Sequence, residues 1–126
     1  MMEHSQAFLK IVENARSRIR EVTVNSVREK LDKQQSFHFI DIREDHEWSK
    51  GCAEGAIHLG KGIIERDIEN LVPNRQDEIV LYCGGGYRSA LAADALQRMG
   101  YSNVFSMTGG YKGWVHAGYP VPQTAC

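Results

Sequence analysis

The sequence predicts an α/β fold built on a mainly parallel sheet. Three observations carry that expectation. Short runs rich in β-branched and apolar residues alternate along the chain with segments of helical periodicity. The run Glu78–Tyr82 has a continuous apolar core, Ile79-Val80-Leu81, as expected of a strand covered by helices on both faces. Twelve glycines and three prolines punctuate the segments.

Taken in order, His4–Arg20 reads as an amphipathic helix, because Phe8, Ile11, Val12, Ala15 and Ile19 share one helical face. It is expected to lie on the domain that follows. Val22-Thr23-Val24 opens a first strand, and Asn25 or Ser26 can cap a helix running through Val27, Leu31 and Lys33. Phe37–Ile42 reads as the second strand, Arg43–Lys50 as a polar segment with a helical turn, and Gly55–Leu59 as a short third strand. Ile64, Ile68 and Leu71 have helical spacing, ended by Val72-Pro73-Asn74. Glu78–Tyr82 is the fourth strand. Ser89–Met99 is a helix with Leu91, Ala95, Leu96 and Met99 inward and Gly100 as its C-terminal stop. Asn103–Met107 is the last strand, and Tyr111–Ala117 a last short helix closed by Gly118.

A length of 126 residues suits one domain, divided here into a helical extension, 1–20, and a domain, 21–126. The chain is 42% hydrophobic and 25% charged, ordinary for a globular protein and too apolar for a disordered one. Its net charge of -1 argues against nucleic-acid binding, which needs a basic face. No apolar run approaches a membrane span, and no secretory signal is expected. The arginines near the N-terminus could suggest a transit peptide, but Glu3, Glu13 and Glu21 argue against one. Three cysteines make no disulfide framework, so a reducing, cytoplasmic setting is the simplest expectation.

Ligands of parallel sheets bind outside the carboxyl ends of the strands. After the most apolar strand comes Cys83-Gly84-Gly85-Gly86-Tyr87-Arg88-Ser89. Glycines permit positive φ, so that successive N–H groups can turn inward into an anion-binding nest. The helix that follows adds the positive end of its dipole. A cysteine there is suited to act as a thiolate nucleophile. Arg88 adds a permanent charge and a planar fork suited to an oxyanion. Each feature alone is compatible with packing; together they point to a nucleophilic anion loop.

At this point the chain resembles the rhodanese (thiosulfate sulfurtransferase) family over about residues 21–121. The resemblance rests on three separated pieces: Asp41-Ile42-Arg43-Glu44 with Glu47, Gly51 and Gly55-Ala56-Ile57; the loop Cys83–Arg88; and Gly109-Gly110-Tyr111-Lys112-Gly113-Trp114 with Gly118-Tyr119-Pro120-Val121. It implies a five-stranded, mainly parallel sheet flanked by helices. It also implies a sulfurtransferase in which Cys83 carries a persulfide and amides of Gly84 to Arg88 hold its charge and the substrate. Gly84, Gly85, Gly86, Tyr87 and Ser89 would bind substrate, with Arg88 closing the loop. The donor would be thiosulfate or a relative, and the acceptor cyanide, a thiol or a protein cysteine. No metal or organic cofactor is needed. Asp41 and Arg43 are either active-site support or a buried pair pinning the strand end.

Two departures stand out. Cys52 occupies the place where the family usually has His, and the loop interior offers no Lys, Thr or Ser side chain. Substrate binding would then rest on backbone amides and Arg88, with weak affinity for thiosulfate as a consequence. Two rival functions share this frame. A cysteine phosphatase or arsenate reductase generally has one residue more between Cys and Arg than the four here. A sulfur-carrier or partner-binding module would use the same fold without turnover. Cys52 and Cys126 are candidates for a resolving thiol, with unremarkable thiols as the preferred reading, and Trp114 and Tyr111 are read as packing residues. Glu65-Arg66-Asp67 is read as a solvated helix face, and the histidines show no zinc-ligand spacing.

Overall fold

A computed structural model describes residues 4–122. It contains, in chain order, α1 (Gln6–Arg16), β1 (Arg20–Val22), α2 (Val24–Asp32), β2 (His38–Asp41), α3 (Asp45–Trp48), β3 (Ile57–His58), α4 (Ile64–Leu71), β4 (Ile79–Tyr82), α5 (Tyr87–Arg98), β5 (Val104–Met107) and α6 (Gly110–His116). The five strands form one sheet in the order β1-β5-β4-β2-β3. Every pairing is parallel. The expected α/β architecture is therefore present, with an all-parallel sheet. Among the described residues, no helix is long and apolar enough to cross a membrane.

Strand β4 sits in the middle and is buried on both faces. Its alternation sorts the core into two clusters. Ile79, Leu81 and Cys83 pack with Ile64 and Ile68 of α4 and Ala92, Ala93 and Leu96 of α5. Val80 and Tyr82 face the other way, onto Val27 of α2 and Trp114 of α6. Cys83 thus leaves the sheet on the side that carries α5. Ile64 and Ile68 are the inward face of α4, and Glu65 and Arg66 are exposed. Trp114 is buried, its indole N–H donating to the Pro120 carbonyl at 2.8 Å.

Several local expectations shift. The cap of α2 is Thr23, not Asn25 or Ser26: its hydroxyl accepts the Ser26 N–H at 3.0 Å. The reason is register, since pairing with β5 ends at Val22↔Met107 and leaves Thr23 extended and free to cap. Helix α5 begins at Tyr87, two residues before Ser89, and buries Ser89, Ala90, Ala92, Ala93, Asp94 and Leu96. Leu91, Ala95 and Met99, expected inward, are only half-buried. The cause is that α5 is covered twice, by the sheet and by α1. Helix α1 turns Val12 and Ala15 onto α5, while Ile11, expected on the buried face, remains 55% exposed. Its helical segment ends at Arg16, so Ile19 reaches the core from beyond it. Arg18 then ties this region down, donating to both Asp94 carboxylate oxygens at 3.0 and 2.7 Å, and its carbonyl accepts from Gln97 at 2.9 Å.

At the end of β2, Asp41 and Arg43 form a pair with 0% and 5% side-chain exposure. Asp41 accepts from the Arg43 backbone N–H at 2.9 Å and from its guanidinium at 2.7 Å. The same guanidinium donates to the Gly51 carbonyl at 2.6 Å and lies 4.1 Å from the centre of the Tyr111 ring. Arg43 therefore joins the strand end, the segment after α3 and the start of α6. Asp41→Asn is expected to destabilise the fold by about 3–5 kcal/mol, because it strands a buried guanidinium. Chemical denaturation checks this; a loss below about 1 kcal/mol would show that water reaches Arg43.

Candidate active site

Cys83 follows the carboxyl end of β4 and is 1% exposed. Its sulfur accepts the Gly86 N–H at 3.1 Å and the Ser89 N–H at 3.4 Å. The Ser89 hydroxyl lies 3.6 Å from it and is bonded to the Ser106 hydroxyl at 2.7 Å. Both donating amides belong to the start of α5, where unpaired N–H groups and the helix dipole favour negative charge. Of the three loop glycines only Gly86 has positive φ (102°), and this turn aims its N–H at the sulfur. Gly84 and Gly85 line the space above without side chains. The inward turn that the glycines permit is thus made at Gly86.

The sulfur lies at the floor of a cavity of about 720 Å³, whose lining includes Gly84, Gly85, Tyr87, Glu44, His46 and Lys112. Arg88 also lines it, but its fork is engaged. It donates to Glu47 through two bonds of 2.7 and 3.0 Å. Glu47 is held in turn by α3, where it accepts the Glu44 N–H at 3.0 Å as half of a capping box. The pair pushes the Arg88 pKa above its ordinary value, first through Glu47 and further through the Cys83 sulfur, against desolvation. It pulls Glu47 down to about 2, with the Arg88 hydrogen bond as the largest cause.

A Rhodanese-like domain model matches residues 23–117. The chain belongs to the rhodanese family. GlpE of Haemophilus influenzae, a thiosulfate sulfurtransferase, is 33% identical over 91 residues, covering 72% of this chain and 85% of its own. YrkF of Bacillus subtilis, provisionally named a sulfur carrier protein, is 32% identical over 102 residues, covering 81% of this chain. That match takes only 54% of YrkF, so the chain spans about half the length of that relative. Among solved structures, a Rhodopseudomonas palustris protein of unknown function, described as a possible tyrosine phosphatase, superposes with a TM-score of 0.86. It is 27% identical and covers 97% of this chain and 98% of its own, a match wide enough to take in α1. A rhodanese-related protein of Thermoplasma volcanium covers 83% of this chain and 99% of its own, with a TM-score of 0.72 and 25% identity.

In this rhodanese Gly86 and Ser89 meet the Cys83 sulfur, and Gly84, Gly85, Tyr87 and Arg88 line the same cavity. Asp41 and Arg43 lie outside the cavity lining, as the buried pair at the strand end. Cys52 is buried away from that lining and is disulfide-bonded, not the free thiol the sequence suggested, because a cysteine count says nothing of which sulfurs the fold brings together. Cys83 is the free cysteine among the described residues, and Cys126 lies outside them. Three contributors escaped the sequence reading. Glu47 was visible only as part of a motif, and nothing local paired it with Arg88. His4 and Phe8, at the start of α1, also line the cavity.

The Glu47–Arg88 pair gives a pH prediction. The folded carboxyl has its pKa near 2 against 4.5 in the unfolded chain, so its stabilisation is fully present above about pH 4.5 and lost as pH falls through 2. Glu47→Gln is expected to cost about 2 kcal/mol at neutral pH, after allowing for partial exposure. The gap between wild type and variant should close in denaturation curves taken from pH 5 down to 2. A gap independent of pH would mean that the cost is one of shape rather than charge.

Proposed function

We propose that this rhodanese moves sulfane sulfur from thiosulfate, or a related donor, to a nucleophilic acceptor through a persulfide on Cys83. The observation that carries the reading is the Cys83 sulfur at the cavity floor, receiving two N–H groups at the start of α5. In the first step the thiolate attacks the outer sulfur of thiosulfate. A Cys83 S–S bond forms, the bond from that sulfur to the sulfite sulfur breaks, and sulfite leaves with the electron pair. In the second step the acceptor attacks the outer sulfur of the persulfide. Cyanide departs as thiocyanate, a thiol as its persulfide, and the Cys83 thiolate is restored. Such a cycle is ping-pong. The amides that hold the thiolate are fixed in advance, so each developing charge meets donors already in place. Cyanide serves as the laboratory acceptor; a thiol or protein cysteine is the cellular one.

The phosphatase reading fits the loop less well. Four residues separate Cys83 from Arg88, and the arginine fork that would grip a phosphoryl group is held by Glu47. Intact-protein mass spectrometry after incubation with thiosulfate tests the proposal. The expected result is a gain of one sulfur atom that a reductant or cyanide removes. No gain, together with hydrolysis of p-nitrophenyl phosphate, would overturn it in favour of the phosphatase. A persulfide that forms but passes only to a protein partner would make the chain a sulfur carrier.

A further inference from the structure

The cavity over Cys83 is far larger than thiosulfate requires. At about 720 Å³ it falls within the roughly 300–1,000 Å³ typical of pockets for organic ligands. Its floor is bare backbone at Gly84 and Gly85, but one wall is aromatic. His4 packs edge-on against Tyr87, with ring centres 4.7 Å apart, and Phe8 stands edge-on to the same ring at 6.3 Å. The Arg16 guanidinium covers Tyr87 at 5.1 Å. The ring that ends the catalytic loop is therefore braced by three residues at the two ends of the N-terminal helical region. The wall is a built feature: Val12 and Ala15 are each 1% exposed against α5, and Arg18 is bidentate on Asp94, a residue only 4% exposed. Its His4, Phe8 and Arg16 lie outside residues 23–117, the segment matched by the family model, whereas Tyr87 lies within it.

We propose that α1 gives this rhodanese a subsite for the carbon skeleton of a small organic thiol, or of its persulfide, as the partner of Cys83. The inference rests on the sulfur-transfer reading above. Phe8 and Tyr87 offer apolar surface to the skeleton, and Glu44 and Lys112 supply one anionic and one cationic group in the same lining for its polar substituents. An inorganic anion uses the floor alone. A folded protein must bring its own cysteine into a cavity lined by His4 and Phe8 to reach Cys83, a residue that is 1% exposed.

The test compares the full chain with Phe8→Ala and Phe8→Leu, using glutathione as the thiol probe and cyanide as the reference acceptor. Phe8→Ala is expected to lower the ratio of kcat/KM for glutathione to that for cyanide about tenfold, mainly through KM, with Phe8→Leu recovering part of it. A ratio that does not change, in variants whose melting temperatures match wild type, overturns the proposal. So does faster transfer to reduced thioredoxin than to glutathione. Calorimetric binding of S-methylglutathione, which cannot accept sulfur, separates the two readings. Binding that weakens about tenfold in Phe8→Ala supports the subsite even if Cys83 forms no persulfide. Absence of binding to wild type overturns the subsite even if it does.

Discussion

Cys83→Ser is expected to keep the fold and lose sulfur transfer by about four orders of magnitude or more, the scale on which a covalent nucleophile is missed. The two halves of that expectation have separate causes. Structurally the change is mild. Serine is slightly smaller, sits in the same 1% exposed position, and can accept the same N–H groups from Gly86 and Ser89. Its hydroxyl also finds a neighbour in Ser89, which is already anchored by Ser106. Melting temperature should therefore move by only a few degrees, the effect of about 1 kcal/mol or less. Chemically the change is complete. An alkoxide is scarcely formed near neutral pH, and oxygen cannot hold a persulfide. Thiocyanate production with thiosulfate and cyanide is the measurement. Turnover within tenfold of wild type would place the nucleophile elsewhere and remove the basis for reading the loop as an anion nest.

What was legible in the sequence divides along physical lines. Strand β4, its loop and α5 were readable because their signals are local: an unbroken apolar run, glycines at the turn, and a cysteine and an arginine at fixed spacing. A mainly parallel sheet followed from alternation of strand and helix patterns, and five strands from the family resemblance; the structure makes all five parallel. The parts that could not be read depend on contacts between distant segments. Glu47 meets Arg88 across 41 positions, and its carboxylate is also held by the Glu44 N–H at the start of α3. Thr23 becomes a cap only because β5 stops pairing at Met107. The inward face of α5 was misjudged because a helix covered on two sides buries small residues all round, Asp94 included, rather than one leucine stripe. Tyr87 gave no sign of its surroundings, since His4 and Phe8 reach it only once α1 has docked.

Gly110 carries the second large expected effect, although it makes no side-chain contact. It begins α6 with φ of 55°, a conformation that side chains disfavour. A Cβ placed there would stand 2.4 Å from the Cys83 carbonyl oxygen and 2.8 Å from the Gly84 carbonyl. These are backbone atoms of the Cys83 loop, so no rotamer change relieves the overlap. The closeness has a purpose: the first turn of α6 donates Tyr111 N–H to the Cys83 carbonyl at 2.7 Å and Lys112 N–H to the Gly84 carbonyl at 3.1 Å. The loop's outward carbonyls are thereby fixed while its sulfur faces the α5 amides. Gly110→Ala must open this seam. It is expected to destabilise the protein by about 3–5 kcal/mol, combining backbone strain with lost hydrogen bonds. In whatever fraction stays folded, sulfur transfer should fall by about a hundredfold, because the nucleophile shifts by a fraction of an ångström or more. Gly62→Ala is the matched control. Its added Cβ meets nothing within 4 Å and its φ is not in the left-handed region, so stability should change by less than about 1 kcal/mol. If Gly110→Ala were as mild as that control, α6 and the loop would have to be apart in solution, and the hydrogen bonds from Tyr111 and Lys112 could not be what holds Cys83 in place.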